Sequence, residues 1–266
     1  MGQKLSKRAR QMGYDVFEGH HQAVDATQNK KKNLKQIQVV VSSSSVDSEI
    51  EMLFRADVLV ITLPFKRHLQ DVWEYANWFL HICQFLANSP VQHVIFTSST
   101  SIYPKKNGMY TESSDLDSDS ERARVLQHVE TQLLDLPKKV CILRLAGLWG
   151  EDRKLTRKLL GPIEGPDVKM NLVHIEDVVS VIFAVIQHQL SGVYNICSPH
   201  HPNRWMYYHT LAKAYKMRPP VFINESKNPK LAGGFQAKNR LIQGQWICDC
   251  TGFQYAYPDI LTCLKP

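Results

Sequence analysis

The sequence predicts an α/β protein: a doubly wound parallel sheet with helices on both faces, followed by a smaller α+β region. Three observations carry this. Apolar strand-like runs alternate with helical patterns over most of the chain. Several of those runs, such as Val58-Leu59-Val60-Ile61, are apolar without interruption, as strands buried on both faces are. Beyond Gly147 and Gly150 the alternation weakens and the elements shorten. With 266 residues, 44% of them hydrophobic and 21% charged, the chain can bury a core in one large or two unequal domains, which excludes disorder, collagen and small disulfide scaffolds. The pattern places one domain at 1–150 and a smaller region at 151–266 that interleaves with the last elements of the sheet.

The elements follow in order. Gly2 to Gln11 is a polar, basic helix ended by Gly13, and Tyr14 to Phe17 is a short strand. A Lys-rich connection leads to a strand at Ile37 to Val41 and a loop at Ser42 to Ser45. Asp57 to Thr62 is a buried strand ended by Pro64. His68 to Leu86 is a long helix with Val72, Tyr75, Ala76, Phe79, Leu80 and Cys83 at helical spacing, so its aromatics belong to a core face. Val91 to Thr97 is the next strand and ends in the hydroxyl run Thr97-Ser98-Ser99-Thr100-Ser101. After a loop with Pro104 and Gly108 come a helix at Ser120 to Leu134 and a strand at Val140 to Leu145. The second half adds Val168 to His174, a helix from Glu176 to Gln187, the strand Gly192 to Cys197 and a helix at Trp205 to Tyr215. No internal repeat is present.

Lys+Arg exceeds Asp+Glu by 32 to 25, a net charge of +7. The excess gathers at Lys4, Lys7, Arg8 and Arg10 and at Lys30, Lys31 and Lys32 without interleaved aromatics, a solvated face rather than a nucleic-acid groove. No apolar run approaches the roughly 18 residues of a membrane span, so the expectation is a soluble, cytoplasmic protein with neither nucleic acid nor membrane as partner. Gly2 and Ser6 fit an N-myristoylation pattern with a basic second anchor, but the same residues fit the first helix in register, and that reading is preferred. The six cysteines are scattered with no CxxC pair and read as reduced thiols. His174 and Asp177 lie one turn apart without a third ligand, so no metal site is expected.

Five fragments in order carry a resemblance. They are Ala56-Asp57-Val58-Leu59-Val60-Ile61, His93-Val94-Ile95-Phe96-Thr97-Ser98-Ser99-Thr100-Ser101-Ile102-Tyr103, Ile142-Leu143-Arg144-Leu145-Ala146-Gly147-Leu148-Trp149-Gly150, Asn171-Leu172-Val173-His174-Ile175-Glu176-Asp177-Val178 and Gly192-Val193-Tyr194-Asn195-Ile196. Together they resemble the extended short-chain dehydrogenase/reductase superfamily, in its NAD(P)-dependent epimerase/dehydratase branch. The resemblance implies a Rossmann-like sheet with a C-terminal substrate cap, NAD or NADP as cofactor, and a hydroxylated small-molecule substrate of the nucleotide-linked kind. It also implies a homodimer through long helices, which here include His68 to Leu86.

The chain departs from the family pattern at two places. The first strand and its Gly-rich, pyrophosphate-holding turn are absent; Met1 to Leu5 resembles the start of the following helix, with Gly2 matching the last glycine. In the order 3-2-1-4-5-6 that strand is central, so the expectation is a chain shortened at its N-terminus, or a sheet that has closed up. The Tyr-x-x-x-Lys pair is replaced by Arg122 and Leu126. Thr100 and Ser101 stand where dehydratases carry an acid/base pair, so sugar dehydration is not expected. What remains by resemblance is Ser99 as the strand-end group that binds substrate and Tyr103 as proton donor, with a packing role as the alternative for Tyr103. Tyr110 is a weaker candidate, and Arg144 matches a family arginine. Gly2, His20, His21, Thr62, Leu63, Pro64, Ser98, Leu145, Ala146 and Gly147 match the cofactor wall. His20, His21 and Lys30 to Lys32 lean toward NADP, while Glu18 could take the acidic role of an NAD user. The expected function is an NAD(P)-dependent oxidoreductase or epimerase-like protein with a degenerate catalytic motif. The alternative is a non-catalytic dinucleotide sensor or scaffold.

Overall fold

A computed structural model describes residues 1–20, 34–38, 48–65, 69–150, 159, 161–223 and 239–264. Its elements are, in order, α1 (Gly2–Gln11), β1 (Val16–His20), β2 (Leu34–Gln38), β3 (Val58–Ile61), α2 (Glu74–Ala87), β4 (His93–Ser99), β5 (Gly108–Tyr110), α3 (Glu121–Leu134), β6 (Lys139–Leu145), β7 (Gly147–Trp149), β8 (Ile163–Glu164), β9 (Leu172–His174), α4 (Ile175–Gln187), β10 (Gly192–Ile196), α5 (Arg204–Ala214), β11 (Phe222–Ile223), β12 (Arg240–Ile242), α6 (Trp246–Thr251) and α7 (Ile260–Cys263). They form two units, 1–102 with 118–143 and 182–193, and 103–117 with 144–181 and 194–266. The chain crosses between them several times, so no single residue number divides them.

The central sheet has the order β10-β6-β4-β3. β3 and β4 pair in parallel from Val58↔His93 to Ile61↔Phe96. The amides of Gln92 and His93 both donate to Asp57 O, and Lys139 N donates to Gln92 O, so β3, β4 and β6 start at one end of the sheet. The apolar runs of β4 and β6 are explained by burial, with Val94, Ile95, Phe96, Ile142 and Leu143 fully buried, whereas β3, expected to be buried on both faces, buries only Ile61 and leaves Val58, Leu59 and Val60 half-buried beside the cavity that they line. α2 buries Tyr75, Ala76, Phe79, Ile82 and Leu86, the stripe of a helix packed on a sheet, and Phe79 meets Phe96 edge-on at 4.9 Å. This helix starts at Glu74, six residues later than the apolar spacing predicts, because Asp71 Oδ1 accepts from Trp73 N at 2.8 Å and holds the preceding residues in a turn. α3 is capped by Ser120, whose side chain accepts from Ala123 N. β1 and β2 form a separate parallel pair.

The second unit is assembled from short parallel pairs, β7 with β9, β12 with β5 and β11 with β8. Its core gathers Trp149, Ile163, Leu172, Tyr207, Leu211 and Ile260. α5 is capped by Asn203, which accepts from Met206 N at 2.8 Å. Asp177, fully buried on α4, accepts from Ala256 N at 2.8 Å and Tyr257 N at 3.2 Å, which ties residues far along the chain to this helix. Burial pushes its carboxyl above the usual range against those two bonds.

Candidate functional site

In the first unit β3 and β4 end at one edge, at Ile61 and Ser99. Two successive hydroxyls on β4 point to different faces, as strand alternation requires. Ser98 is buried and donates to Glu130 Oε1 of α3 at 2.5 Å, so its hydroxyl is committed to the core. Ser99 is half-buried; its Oγ accepts from Ser101 N at 3.1 Å, which starts the short 3-10 turn Thr100–Ile102 and leaves the hydroxyl proton uncommitted. Thr97 Oγ1 donates to Ile61 O at 3.3 Å and locks the ends of the two strands together. Thr62, Leu63 and the exposed Pro64 continue from β3, and Tyr75 OH donates to Leu63 O at 2.8 Å. Phe65 stacks on Tyr75 at 4.5 Å, and the Arg122 guanidinium covers its other face at 3.9 Å while donating to Phe65 O at 3.1 Å. Arg122 is therefore a clamp on the loop after β3. Leu126 is buried in the core.

Beside this edge lies a cavity of about 910 Å³ between α1, β1 and β3. Gly2 opens α1 next to Thr62, and a Cβ placed at Gly2 would meet only Thr62 Oγ1, at 3.6 Å, an ordinary contact. Close packing within the chain does not demand glycine here. The first turn of α1 has no side-chain cap and no acidic residue, so its amides can receive an anion. Glu18 and Gly19 line the cavity, and so does Ser6, which is 5% exposed with its Oγ unpartnered. The helix N-terminus and roomy wall suit the phosphates and ribose of a dinucleotide, and the sequence carries no Gly-rich turn. His21 and Lys30 to Lys32 lie outside the described residues, and for His20 only its place at the end of β1 is described.

The second unit holds Tyr103, Leu145, Ala146 and Gly147. Tyr103 is fully buried; its hydroxyl accepts from Arg144 Nη1 at 2.8 Å and donates to Asn195 Oδ1 at 2.8 Å. Burial raises the phenol above its ordinary value, opposed by the charge of Arg144. With both hydrogen-bonding roles filled inside the fold, Tyr103 acts as a brace, the alternative weighed for it from sequence. The brace extends further: Glu112 Oε1 accepts from Asn195 N at 2.7 Å, and Arg240 Nη1 donates to Tyr103 O at 2.8 Å. Tyr110 packs beside Tyr103 at 5.5 Å. Leu145 and Ala146 are buried, and Gly147 is needed for close approach, since a Cβ there would lie 2.9 Å from Leu172 Cδ2 and 3.1 Å from Asn171 O.

Glu130, Glu112 and Asn195 are the residues that sequence patterns alone do not single out as partners. The available signal is Asn195 within the apolar run Gly192–Ile196, since a polar side chain on a buried strand must find a partner. His174 is enclosed by Trp149 at 4.5 Å and Tyr257 at 3.7 Å, and its Nδ1 accepts from Glu176 N at 3.3 Å. Among the described residues no group of His, Cys, Asp or Glu could hold a metal ion.

A parallel sheet flanked by helices, with hydroxyls and an open helix N-terminus at its edge, defines a Rossmann-like α/β protein. The profile of the NAD dependent epimerase/dehydratase family matches residues 1–197, and the chain belongs to that family. It is 37% identical over 221 residues to Protein YeeZ of Escherichia coli strain K12, covering 80% of this chain and 76% of that protein. Its fold is similar to that of human epimerase family protein SDR39U1 solved with NADPH, with a TM-score of 0.73 at 16% identity over 99% of this chain and 94% of the other. It is likewise similar to UDP-glucuronic acid 4-epimerase from Bacillus cereus solved with NAD, with a TM-score of 0.75 at 15% identity over 96% and 90% of the two chains. Among the described residues no helix is long and apolar enough to cross a membrane.

Proposed function

We propose that the protein is a nicotinamide-dinucleotide-dependent, epimerase-like oxidoreductase acting on a hydroxylated small molecule, and that it works without the Tyr–Lys pair. The observation that supports this best is Ser99, half-buried at the end of β4 with a free hydroxyl proton, while its neighbour Ser98 is spent on Glu130. When bound, the dinucleotide supplies hydride exchange at the substrate carbon. The chain's own parts divide the rest. The first-turn amides of α1 and the open face at Gly2 receive phosphate, and Thr62 to Pro64 form the wall beside it. Ser99 holds the substrate hydroxyl. The basic residues His20, His21 and Lys30 to Lys32 tilt the preference to NADP, as does the cofactor seen with SDR39U1. Self-association through α2 and α3 belongs to the same reading, supported by exposed Leu80 and Leu134 on those helices.

The test is a fluorescence titration with NADPH and NADH, followed by turnover of nucleotide sugars with and without Ser99→Ala. Saturable binding, tighter for NADPH, and a fall of about a hundredfold in turnover are expected. Absence of saturable binding overturns the cofactor assignment. A second reading, a dinucleotide sensor without turnover, is favoured by one observation: Arg122 is occupied as a clamp and Leu126 is core, so neither can move a proton. Binding of NADPH with no turnover of any nucleotide sugar would select it.

A further inference from the structure

Three side chains from three different elements reach the same short stretch after β3. Thr97 Oγ1 of β4 donates to Ile61 O at 3.3 Å, Tyr75 OH of α2 donates to Leu63 O at 2.8 Å, and Arg122 Nη2 of α3 donates to Phe65 O at 3.1 Å. The acceptors are alternate carbonyls, the spacing of one edge of an extended chain. Of the residues between them, Thr62 lines the cavity of about 910 Å³ beside α1, and Pro64 is exposed. The stretch is thus held from the body of the first unit while Thr62 is offered to the cavity.

Arg122 is the least expected of the three holders. It stands in the first turn of α3, where the positive end of the helix disfavours a cation and suits its neighbour Glu121. Its guanidinium nevertheless lies 3.9 Å from the ring centre of Phe65, which in turn stacks on Tyr75 at 4.5 Å with the ring planes 18° apart. Tyr75 is 1% exposed and gives the stack a fixed floor, whereas Arg122 is only half-buried. A planar cation that both stacks and donates fixes a ring and its carbonyl together, which a point charge on a flexible stem does not. Loss of Arg122 leaves the stretch held at Ile61 and Leu63 and loose at Phe65.

We infer that Arg122 is a positioning residue for the dinucleotide site. Acting through Phe65, it holds the backbone that carries Thr62 and Pro64 before any ligand arrives, so binding does not have to order that wall. In this role Arg122 needs no contact with the ligand. The inference rests on the proposed function for the identity of the ligand alone; the clamp is a property of the unliganded chain.

The experiment is a double-mutant cycle on the full chain with Arg122→Ala, Phe65→Ala and the two combined, read by NADPH titration and by hydrogen exchange of the unliganded proteins. Each single change should weaken NADPH binding about tenfold and speed exchange at the amides of Thr62 and Leu63, and the pair should be no worse than either alone, because both remove one contact. Exchange at Ile142 and Leu143, fully buried in β6, should stay unchanged, which separates local positioning from a general loss of stability. Arg122→Lys keeps the charge without the planar stack and should recover less than the full affinity. Losses that add to about a hundredfold in the pair, unchanged affinity in Arg122→Ala, full recovery in Arg122→Lys, or faster exchange in β6 as well would each overturn the inference. A parent chain that binds no NADPH removes the proposed ligand; faster local exchange in Arg122→Ala then supports the clamp on its own, and unchanged exchange overturns it.

Discussion

Ser98 and Ser99 are adjacent and chemically identical, and the fold gives them opposite tasks. Removing the Ser98 hydroxyl leaves the buried carboxyl of Glu130 without this short bond, so Ser98→Ala should cost about 1–3 kcal/mol in urea denaturation. Ser99→Ala loses only a bond at the edge of a turn and should stay within about 0.5 kcal/mol of the parent while losing turnover. His93 gives a pH signature. It is buried, its Nε2 donates to Leu190 O at 2.9 Å, and its Nδ1 has no partner. Burial lowers its pKa below the ordinary histidine value, opposed by the Leu190 bond and aided by nearby Lys139. In the window between the two values the unfolded chain binds more protons, so this contribution to stability is complete above the ordinary value and is lost as pH falls through the folded one. Urea midpoints measured from pH 7.5 to pH 5 should therefore fall, and His93→Gln should flatten that part of the slope.

At the scale of elements, glycine positions differ in whether close packing demands them. A Cβ at Gly244 would lie 2.8 Å from Cys197 N and 2.9 Å from Tyr255 OH, and it would also press on Cys197 O. Gly244→Ala should therefore cost about 3 kcal/mol in thermal or urea unfolding. Gly2→Ala, which meets only Thr62 Oγ1 at 3.6 Å, should leave stability within about 0.5 kcal/mol. β4 and β6 are legible in the sequence because strands buried on both faces carry apolar runs, and β3 is legible from the same kind of run although only its Ile61 is buried. Sequence reading placed the start of α2 too early because apolar spacing continues through His68 to Trp73, whereas a turn held by Asp71 decides the boundary. The Tyr103 brace was beyond its reach, since Asn195 stands 92 residues from Tyr103 and no periodicity connects them.

For the whole molecule, the six cysteines report how the fold is closed. All are free; Cys141 and Cys197 are fully buried, with burial pushing both thiols up to about 12, while Cys250 is exposed. A thiol reagent at neutral pH should label Cys250 within minutes and reach Cys141 and Cys197 only after denaturant is added, which mass mapping of labelled peptides would read directly. Composition alone gave reduced thiols but not this order of reactivity, because exposure is set by the tertiary fold. The family was legible from five short fragments, whereas the division into two units was not, because residues 103–117 and 182–193 each cross to the unit opposite their sequence neighbours.

Asp177 carries a consequence for biosynthesis. Its carboxylate sits in the interior, and its partners are the amides of Ala256 and Tyr257, almost eighty residues downstream. While the ribosome is still making that stretch, α4 carries an acid whose intended donors do not yet exist. The second unit therefore completes its folding only once translation has nearly finished, and a nascent chain stalled before Ala256 should be held by chaperones or degraded.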